Sequence, residues 1–318
     1  MSLATDWLSR LLHLIPVAGQ LEIRCLYGAP WRVDNARSKP GEIPYHVVLA
    51  GEATLEAPDG RGPQHLAAGD IVLLNHGSAH VLHDGSGKRP ARVKAHEGEH
   101  LTLRENLGAG PRLDMLCGRF IVASPHDRLI RGYLPSRLVV RTARQEASGA
   151  SPSTAAQLAA LMGLMRAESA VEGLGSHAML NAFSAALFAL TLRLAGESDE
   201  APTGLLALAR HPRLAPALAA MLDRPAHPWT LPELARLCNV SRATVARQFQ
   251  ERMGRSASDL LADIRVSLAS TELRRASVST EAVAERVGYQ SVAAFTRVFK
   301  GRIGMTPAQW RRTVRSAG

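Results

Sequence analysis

The 318-residue sequence predicts an α+β multidomain chain with an N-terminal β-barrel, a helical segment and a C-terminal all-α domain. Three observations predict it. From about Leu21 to Thr142, short apolar runs are punctuated by Gly, Pro, Asn and Asp, the texture of a barrel or sandwich. From Ser153 onward, apolar residues recur at three- and four-residue spacing. Residues 235–254 return in outline 49 to 50 positions later: Ala235 as Ala284, Val240 as Tyr289, Arg247 as Arg297, Phe249 as Phe299 and Gly254 as Gly304. A repeat of that size marks two copies of one helical unit. The boundaries read from the sequence are 1–150 for the barrel, 151–204 for the helical segment and 205–318 for the C-terminal domain. A chain this long exceeds one core.

Taken in order, Leu3, Trp7, Leu11 and Leu14 predict a short amphipathic helix. Strands are expected at Leu21 to Tyr27, Tyr45 to Leu49, Ala53 to Ala57, Ile71 to Leu74, and Met115 to Val122. Leu158, Leu161, Met162 and Met165 form one helical stripe, and Met179 to Leu194 a second. One of these stripes is a candidate homodimer surface, the alternative being that both helices pack on the barrel. Ala178 to Leu194 contains Asn181 and Ser184 and ends at Arg193, so it reads as a buried helix with no membrane partner. Gly196 to Pro202 reads as an exposed linker.

Three scattered cysteines make neither a disulfide framework nor a zinc ribbon, and the N-terminus lacks the pattern of a secretion signal, so a cytoplasmic location is expected. The net charge of +10 is unevenly placed. Residues 205–318 carry 18 basic against 8 acidic side chains, while the first 204 carry 20 of each. Excess positive charge confined to one domain suits phosphate neutralisation, or else a solvated basic face.

Within that domain, Leu231 to Cys238 predicts a helix with Leu234, Ala235 and Leu237 inward, interrupted at Asn239. Ser241 caps a second helix with Val245 and Phe249 inward. The second copy runs from Glu281 to Val287, turns at Gly288 and resumes at Ser291 with Phe295 and Phe299 inward. Each copy is a helix-turn-helix. Asp259 to Ala276, with Leu260, Leu261, Ile264, Leu268 and Leu273, predicts the helix that joins them.

The second copy carries Gly288-Tyr289, Ser291, Phe295, Arg297, Phe299-Lys300, Gly304, Thr306-Pro307 and Trp310-Arg311, and there the chain resembles the AraC/XylS family of transcriptional regulators. Trp310 stands where the family usually has Tyr. The resemblance implies double-stranded DNA at a promoter operator as partner and RNA polymerase as a candidate second partner, with activation and repression both open. It also implies that Ala243, Ala246 and Arg247 face base edges, with Arg242, Thr244 and Gln248 nearer the backbone. The second reading helix offers Val292, Ala293, Ala294 and Arg297, an edge that is mostly apolar. Such an edge touches thymine methyls or senses shape. Ser291, Thr296 and Lys300 are expected on phosphates.

Gly69 to His80, with Asn75 where Pro is usual, resembles the second motif of cupin barrels, and Tyr45 to Gly60 resembles the first. The barrel is therefore expected to be cupin-like. His46 and His80 fall where cupins place metal ligands, with His76 and His83 as alternates, which makes them a candidate zinc or copper site or else pocket-lining core residues. With Cys25 and Cys117 flanking that motif in strand-like runs, the chain resembles the cupin-bearing AraC-type regulators that respond to reactive chlorine. What this implies is a thiol sensor in which Cys25 is oxidised and then forms a disulfide with Cys117. The pairing needs Cα atoms within about 7 Å and one partly ionised thiol. Arg24 and Arg119 are the adjacent cations. Three other readings stay open: both thiols as plain core, a small organic effector held in the barrel, and a cupin metalloenzyme. Cys238 is expected in the helical core.

Overall fold

The computed structural model describes residues 6–142, 153–198, 203–275 and 278–316. They form two compact units, neither contiguous in sequence. The first comprises Val17–Val122 and Pro135–Ser198, the second the described parts of Met1–Pro16, Ala123–Leu134 and Asp199–Gly318. The expected 1–150 boundary is thus interrupted twice. Helices α1 (Trp7–Leu14) and α2 (Asp127–Tyr133) belong with the C-terminal helices, because Leu11, Leu129 and Ile130 line one apolar space with Leu222, Leu260 and Ile264.

The first unit holds β1 (Val17–Gly28), β2 (Arg32–Asn35), β3 (Glu42–Ala50), β4 (Glu52–Glu56), β5 (Gln64–Ala67), β6 (Asp70–Leu74), β7 (His80–His83), β8 (Val93–Glu97), β9 (Thr102–Asn106), β10 (Arg112–Val122) and β11 (Arg137–Arg141). A seven-stranded sheet runs β11-β6-β3-β10-β1-β9-β8 and a four-stranded sheet β2-β7-β4-β5. Their facing sides share one core that includes Cys25, Val48 and Met115 from the larger sheet and Leu55, Leu66 and Leu82 from the smaller. The five expected strands are all present. Those without a sequence signal are short, and β8 is exposed along its whole length, so no alternation marks it. Asn75, in place of the usual Pro, donates its side-chain amide to Pro135 O at 2.7 Å.

Helices α3 (Thr154–Glu168) and α4 (Ser176–Glu197), from the expected 151–204 segment, form a hairpin in this same unit. α4 lies on β1. Gly19 permits the approach, since a Cβ there would sit 2.5 Å from Ser184, and Tyr45 Oη lies 2.8 Å from Ser184 Oγ. Leu164, Val171 and Met179 remain exposed on the hairpin.

The second unit adds α5 (Leu205–Arg210), α6 (Ala215–Asp223), α7 (Leu231–Leu237), α8 (Arg242–Met253), α9 (Ala257–Glu272), α10 (Thr280–Arg286), α11 (Val292–Ile303) and α12 (Pro307–Ser316). Ser or Thr caps α7 through α11 in turn: Thr230, Ser241, Ser256, Ser279 and Ser291 each accept a backbone N–H of the first turn. The two turns repeat as well. Asn239 has φ +50° and Gly288, 49 positions on, φ +86°. Asn tolerates that region. Position 288 requires Gly for a second reason, because a Cβ would lie 2.2 Å from Ala226 O.

The joining helix α9 is tied to both copies. Arg265 donates to Pro225 O at 2.7 Å and to His227 O at 2.9 Å ahead of α7, while Glu272 meets Arg286 of α10 at 3.0 Å. Trp310 Nε1 of α12 reaches Ser270 O at 3.3 Å. On its other side, α9 receives α2, where His126 Nδ1 lies 2.6 Å from Ser267 Oγ.

Burial pushes the His126 imidazole down to about 4. An unfolded histidine protonates near pH 6.5, so the unfolded chain binds more protons between those values and stability falls as pH drops from about 6.5 to about 4. Between pH 7 and pH 5 the loss attributable to His126 is about 2 kcal/mol. Denaturant titrations at both pH values should show His126→Gln with a shallower pH dependence by about that amount; equal dependence in the two proteins would contradict the assignment.

Candidate functional site

Strand register assembles the sensor residues. Cys25 on β1 is opposite Met115 on β10, and Ile23 is opposite Cys117, so the two cysteines are diagonal neighbours. A bulge between Leu21 and Ile23 makes this possible. With the register that holds from Val17 to Leu21, Cys25 would pair with Asp114 and face away from Cys117, because a one-residue slip reverses the face. On the far side of β10, Cys117 is directly opposite His46 of β3.

The hydrogen bonds then fix a direction. His46 Nδ1 lies 3.0 Å from Cys117 Sγ, His46 Nε2 lies 2.7 Å from His80 Nε2, and His80 Nδ1 lies 3.0 Å from Ser78 O. The carbonyl can only accept, so His80 carries its proton on Nδ1. Burial, and for His46 also the neighbouring His80, pushes both imidazoles down, which keeps them neutral. A neutral His80 accepts at Nε2, so His46 donates from Nε2 and accepts at Nδ1 from the Cys117 S–H. The chain spans both sheets, since β3 and β7 belong to different ones.

Cys25 is 2% exposed and Cys117 half-buried. A hydrogen bond from the Cys117 thiol holds Cys25 below the ordinary thiol range against the opposing effect of burial, so on ionisation of Cys25 the Cys117 S–H turns from His46 to the thiolate, and Cys117 is pushed up by Cys25 and by burial. The pair therefore loses its first proton from Cys25. Arg104, opposite Cys25 in the parallel β1–β9 ladder, favours that thiolate further. The adjacent Arg24 and Arg119 do not serve this role: Arg24 pairs with Asp114 at 2.9 Å, and Arg119 with Glu22 at 2.8 Å and Glu42 at 3.1 Å. Cys238 is buried in the helical unit, as expected of a core residue.

The donor set was also expected to be a candidate zinc or copper site. His46 and His80 do meet, but their Nε2 atoms face each other at hydrogen-bond distance and Cys117 follows in line. His83 instead faces Glu56 at 3.4 Å. Among the described residues, no three His, Cys, Asp or Glu side chains are grouped to hold an ion, so the set does not fit a cupin-type metal centre.

In the helical unit, Ser241 and Ser291 cap the two reading helices α8 and α11. Arg242, Ala243, Ala246 and Arg247 are exposed on α8, as are Ala293, Arg297 and Lys300 on α11. Thr244 is half-buried, with its hydroxyl 2.9 Å from Ser241 Oγ, and Gln248 bonds Glu251 and Arg252 at 2.9 Å each. Val292, Ala294 and Thr296 are half-buried. Glu251 lies 3.7 Å from Arg247, an exposed pair that is weak in water. Beneath this face, Val245 and Phe249, and Phe295 and Phe299, are fully buried. A basic, capped and rigidly backed face on each of two helix-turn-helix copies suits a duplex.

The imidazole tautomers are directly observable. Long-range nitrogen-15 correlation spectra of histidine-labelled protein near pH 7 should show His46 as the Nε2–H form and His80 as the Nδ1–H form. A His80 ring protonated on Nε2 alone would break the chain as assigned.

A cupin family profile matches residues 6–195 and a helix-turn-helix domain profile matches residues 234–313. An uncharacterized HTH-type transcriptional regulator of Haemophilus influenzae is 30% identical, covering 97% of this chain and 99% of that one. The RCS-specific HTH-type transcriptional activator RclR of Escherichia coli is 28% identical, covering 98% of each. Among solved structures, the DNA-binding domain of AdpA in complex with a target DNA is 28% identical over 32% of this chain and 91% of that one, with a TM-score of 0.31. The chain belongs to the cupin-bearing, DNA-binding transcriptional regulators of the AraC type.

Proposed function

We propose that this regulator is a thiol switch for reactive chlorine, with Cys25 as the attacking thiol and Cys117 as the resolving one. The observation that carries the reading is the row Cys25, Cys117, His46, His80, in which a thiol of lowered pKa sits beside a second thiol that has its own proton acceptor 3.0 Å away. The Cys25 thiolate takes chlorine from hypochlorous acid, giving a sulfenyl chloride and hydroxide. Cys117 then attacks that sulfur, the S–Cl bond breaks and chloride leaves. The Cys117 proton passes to His46 Nδ1 and from there to solvent. In sum, two thiols and one hypochlorous acid give one disulfide, water, chloride and a proton. The oxidant is small and uncharged, which suits a thiol as buried as Cys25. Similarity to a relative named for reactive chlorine species agrees with the reading.

The packing favours this over an organic effector in the barrel, since Tyr27, Trp31, Val48, Leu82 and Met115 fill the space around Cys25. Turnover is not part of the proposal, and its output is altered binding to a promoter operator. There Arg247 reads a base edge from α8, while Lys300 of α11 holds a phosphate.

Peptide mapping after sub-stoichiometric hypochlorous acid should find Cys25 linked to Cys117, with operator affinity changed in step and restored by dithiothreitol. Cys25→Ser should remove the response and leave the unoxidised protein's DNA binding intact. A Cys25→Ser protein that still responds, or an unlinked pair at oxidant levels that alter binding, defeats the thiol reading.

On the DNA side, Arg247→Ala should weaken operator binding about 5- to 160-fold, corresponding to ~1–3 kcal/mol, and relax selectivity at one base pair. Lys300→Ala should weaken all sequences alike and lower the salt slope by about 1. Footprinting and salt titrations check both, and an Arg247→Ala protein with unchanged operator selectivity would remove that residue from base reading.

A further inference from the structure

The second unit contains a basic cleft that neither the thiol chemistry nor the DNA-reading face uses. It has a volume of about 350 Å³ and lies between α2 and the chain at the far ends of α8 and α11. Four arginines line it: Arg128 and Arg131 from α2, Arg255 just past α8, and Arg302 near the end of α11. Two are fixed in place. Arg302 donates to Asp263 at 3.0 Å and to Asp259 at 2.7 Å. Arg255 lies 3.6 Å from Asp263 and over the Tyr133 ring at 5.3 Å. Its guanidinium also rests on Gly132, where a Cβ would come within 3.6 Å.

The other two are held differently. Among the described residues neither Arg128 nor Arg131 forms an ion pair, and Arg128 Nε is a buried donor with no hydrogen-bond partner. Among the described residues Asp127 is the only carboxylate on the cleft wall, and its Oδ1 is likewise buried without a hydrogen-bond partner. A buried N–H without an acceptor is uncommon and needs an explanation. Asp127 offsets part of the charge of Arg128 and Arg131, yet four guanidiniums face one carboxylate on this wall and Arg128 Nε has no acceptor, a surface that suits an anion with several oxygens. A carboxylate carries one charge and fills one fork. A phosphoryl group brings up to two charges and three acceptor oxygens, and a diphosphate can bridge opposite walls.

We propose that this cleft binds a small phosphorylated anion with a diphosphate or similar group, clamping α2 to the ends of both reading helices. Arg128 and Arg131 supply the donors that gain an acceptor on binding, and Arg255 and Arg302 form the preset wall. A ligand held this way stiffens the spacing of α8 and α11, so it acts on DNA affinity by a route separate from thiol oxidation.

The test uses the full chain and sodium pyrophosphate, with inorganic phosphate as the smaller probe and sodium chloride at matched ionic strength as control. Calorimetry should give a pyrophosphate dissociation constant below about 1 mM, and Arg128→Gln/Arg131→Gln should weaken it at least about tenfold. A control with the same charge loss, Arg89→Gln/Arg92→Gln in the exposed segment ahead of β8, should bind as the unaltered protein does. Circular dichroism checks that both variants fold. Equal pyrophosphate affinity in all three proteins, or no heat beyond the chloride control, overturns the site. So does a double α2 variant that loses operator binding while the unaltered protein ignores pyrophosphate, because those arginines would then be serving the DNA backbone.

Discussion

The second unit is arranged around one buried charge. Asp263 of α9 is 4% exposed, and a carboxylate at that depth must be compensated or it destabilises the fold by several kcal/mol. Its partners come from three separate stretches of chain: Tyr133 Oη of α2 at 2.6 Å, the Arg302 guanidinium of α11 at 3.0 Å to each oxygen, and Arg255 beyond α8 at 3.6 Å. Apolar packing alone would let these elements slide past α9 at small cost. A carboxylate with directional partners does not, because displacing one leaves the others around a charge they no longer balance. The joining helix is therefore more than a spacer.

The chain itself runs from the cysteine-bearing strands into that unit. β1 and β10 carry Cys25 and Cys117, and their far ends meet where Val17 pairs with Val122. From that pair the chain leads back through Pro16 into α1 and onward through 123–126 into α2, both members of the second unit. The two strands that hold the cysteines thus each continue along the chain into the second unit, where Tyr133 and His126 hold α2. β11 then takes the chain back into the barrel at Arg137.

Much of this was legible in the sequence, for identifiable reasons. Local rules found the capped helices and the turn at Gly288, because a Ser cap, a 3.6-residue period and a positive-φ turn are written within a few positions. The thiols came through family resemblance, and the metal reading rested on two histidines whose company the sequence does not show. What was not legible depends on register. The bulge after Leu21 falls opposite Gly118, 97 positions away in sequence, so the strand itself does not announce it, yet it decides which face Cys25 occupies. His46 and Cys117 are 71 positions apart and meet only because β3 and β10 pair. Arg104 acts on Cys25 from a parallel neighbour, while the adjacent Arg24 and Arg119, nearer in sequence, point to carboxylates elsewhere. The placement of α1 and α2 was missed for a similar reason. Their apolar faces say that they are covered, and nothing local says by which unit.

The two reading helices share a scaffold and differ in chemistry. Both have a Ser cap, an inward aromatic pattern and a glycine C-cap, Gly254 with φ +65° and Gly304 with φ +85°. On α8 the exposed face carries Arg242 and Arg247, and the Gln248–Glu251–Arg252 group limits the rotamers next to them. On α11 the corresponding edge is Ala293 with half-buried Val292 and Ala294, leaving Arg297 and Lys300 as its cations. Planar donors discriminate bases by hydrogen bonding, whereas methyl groups discriminate mainly by fit. On the proposed DNA-reading roles, the first copy would be the one that specifies sequence and the second the one that senses the shape of the duplex. That division works only if α9 keeps the spacing of the two helices fixed, which returns the requirement to Asp263 and its partners.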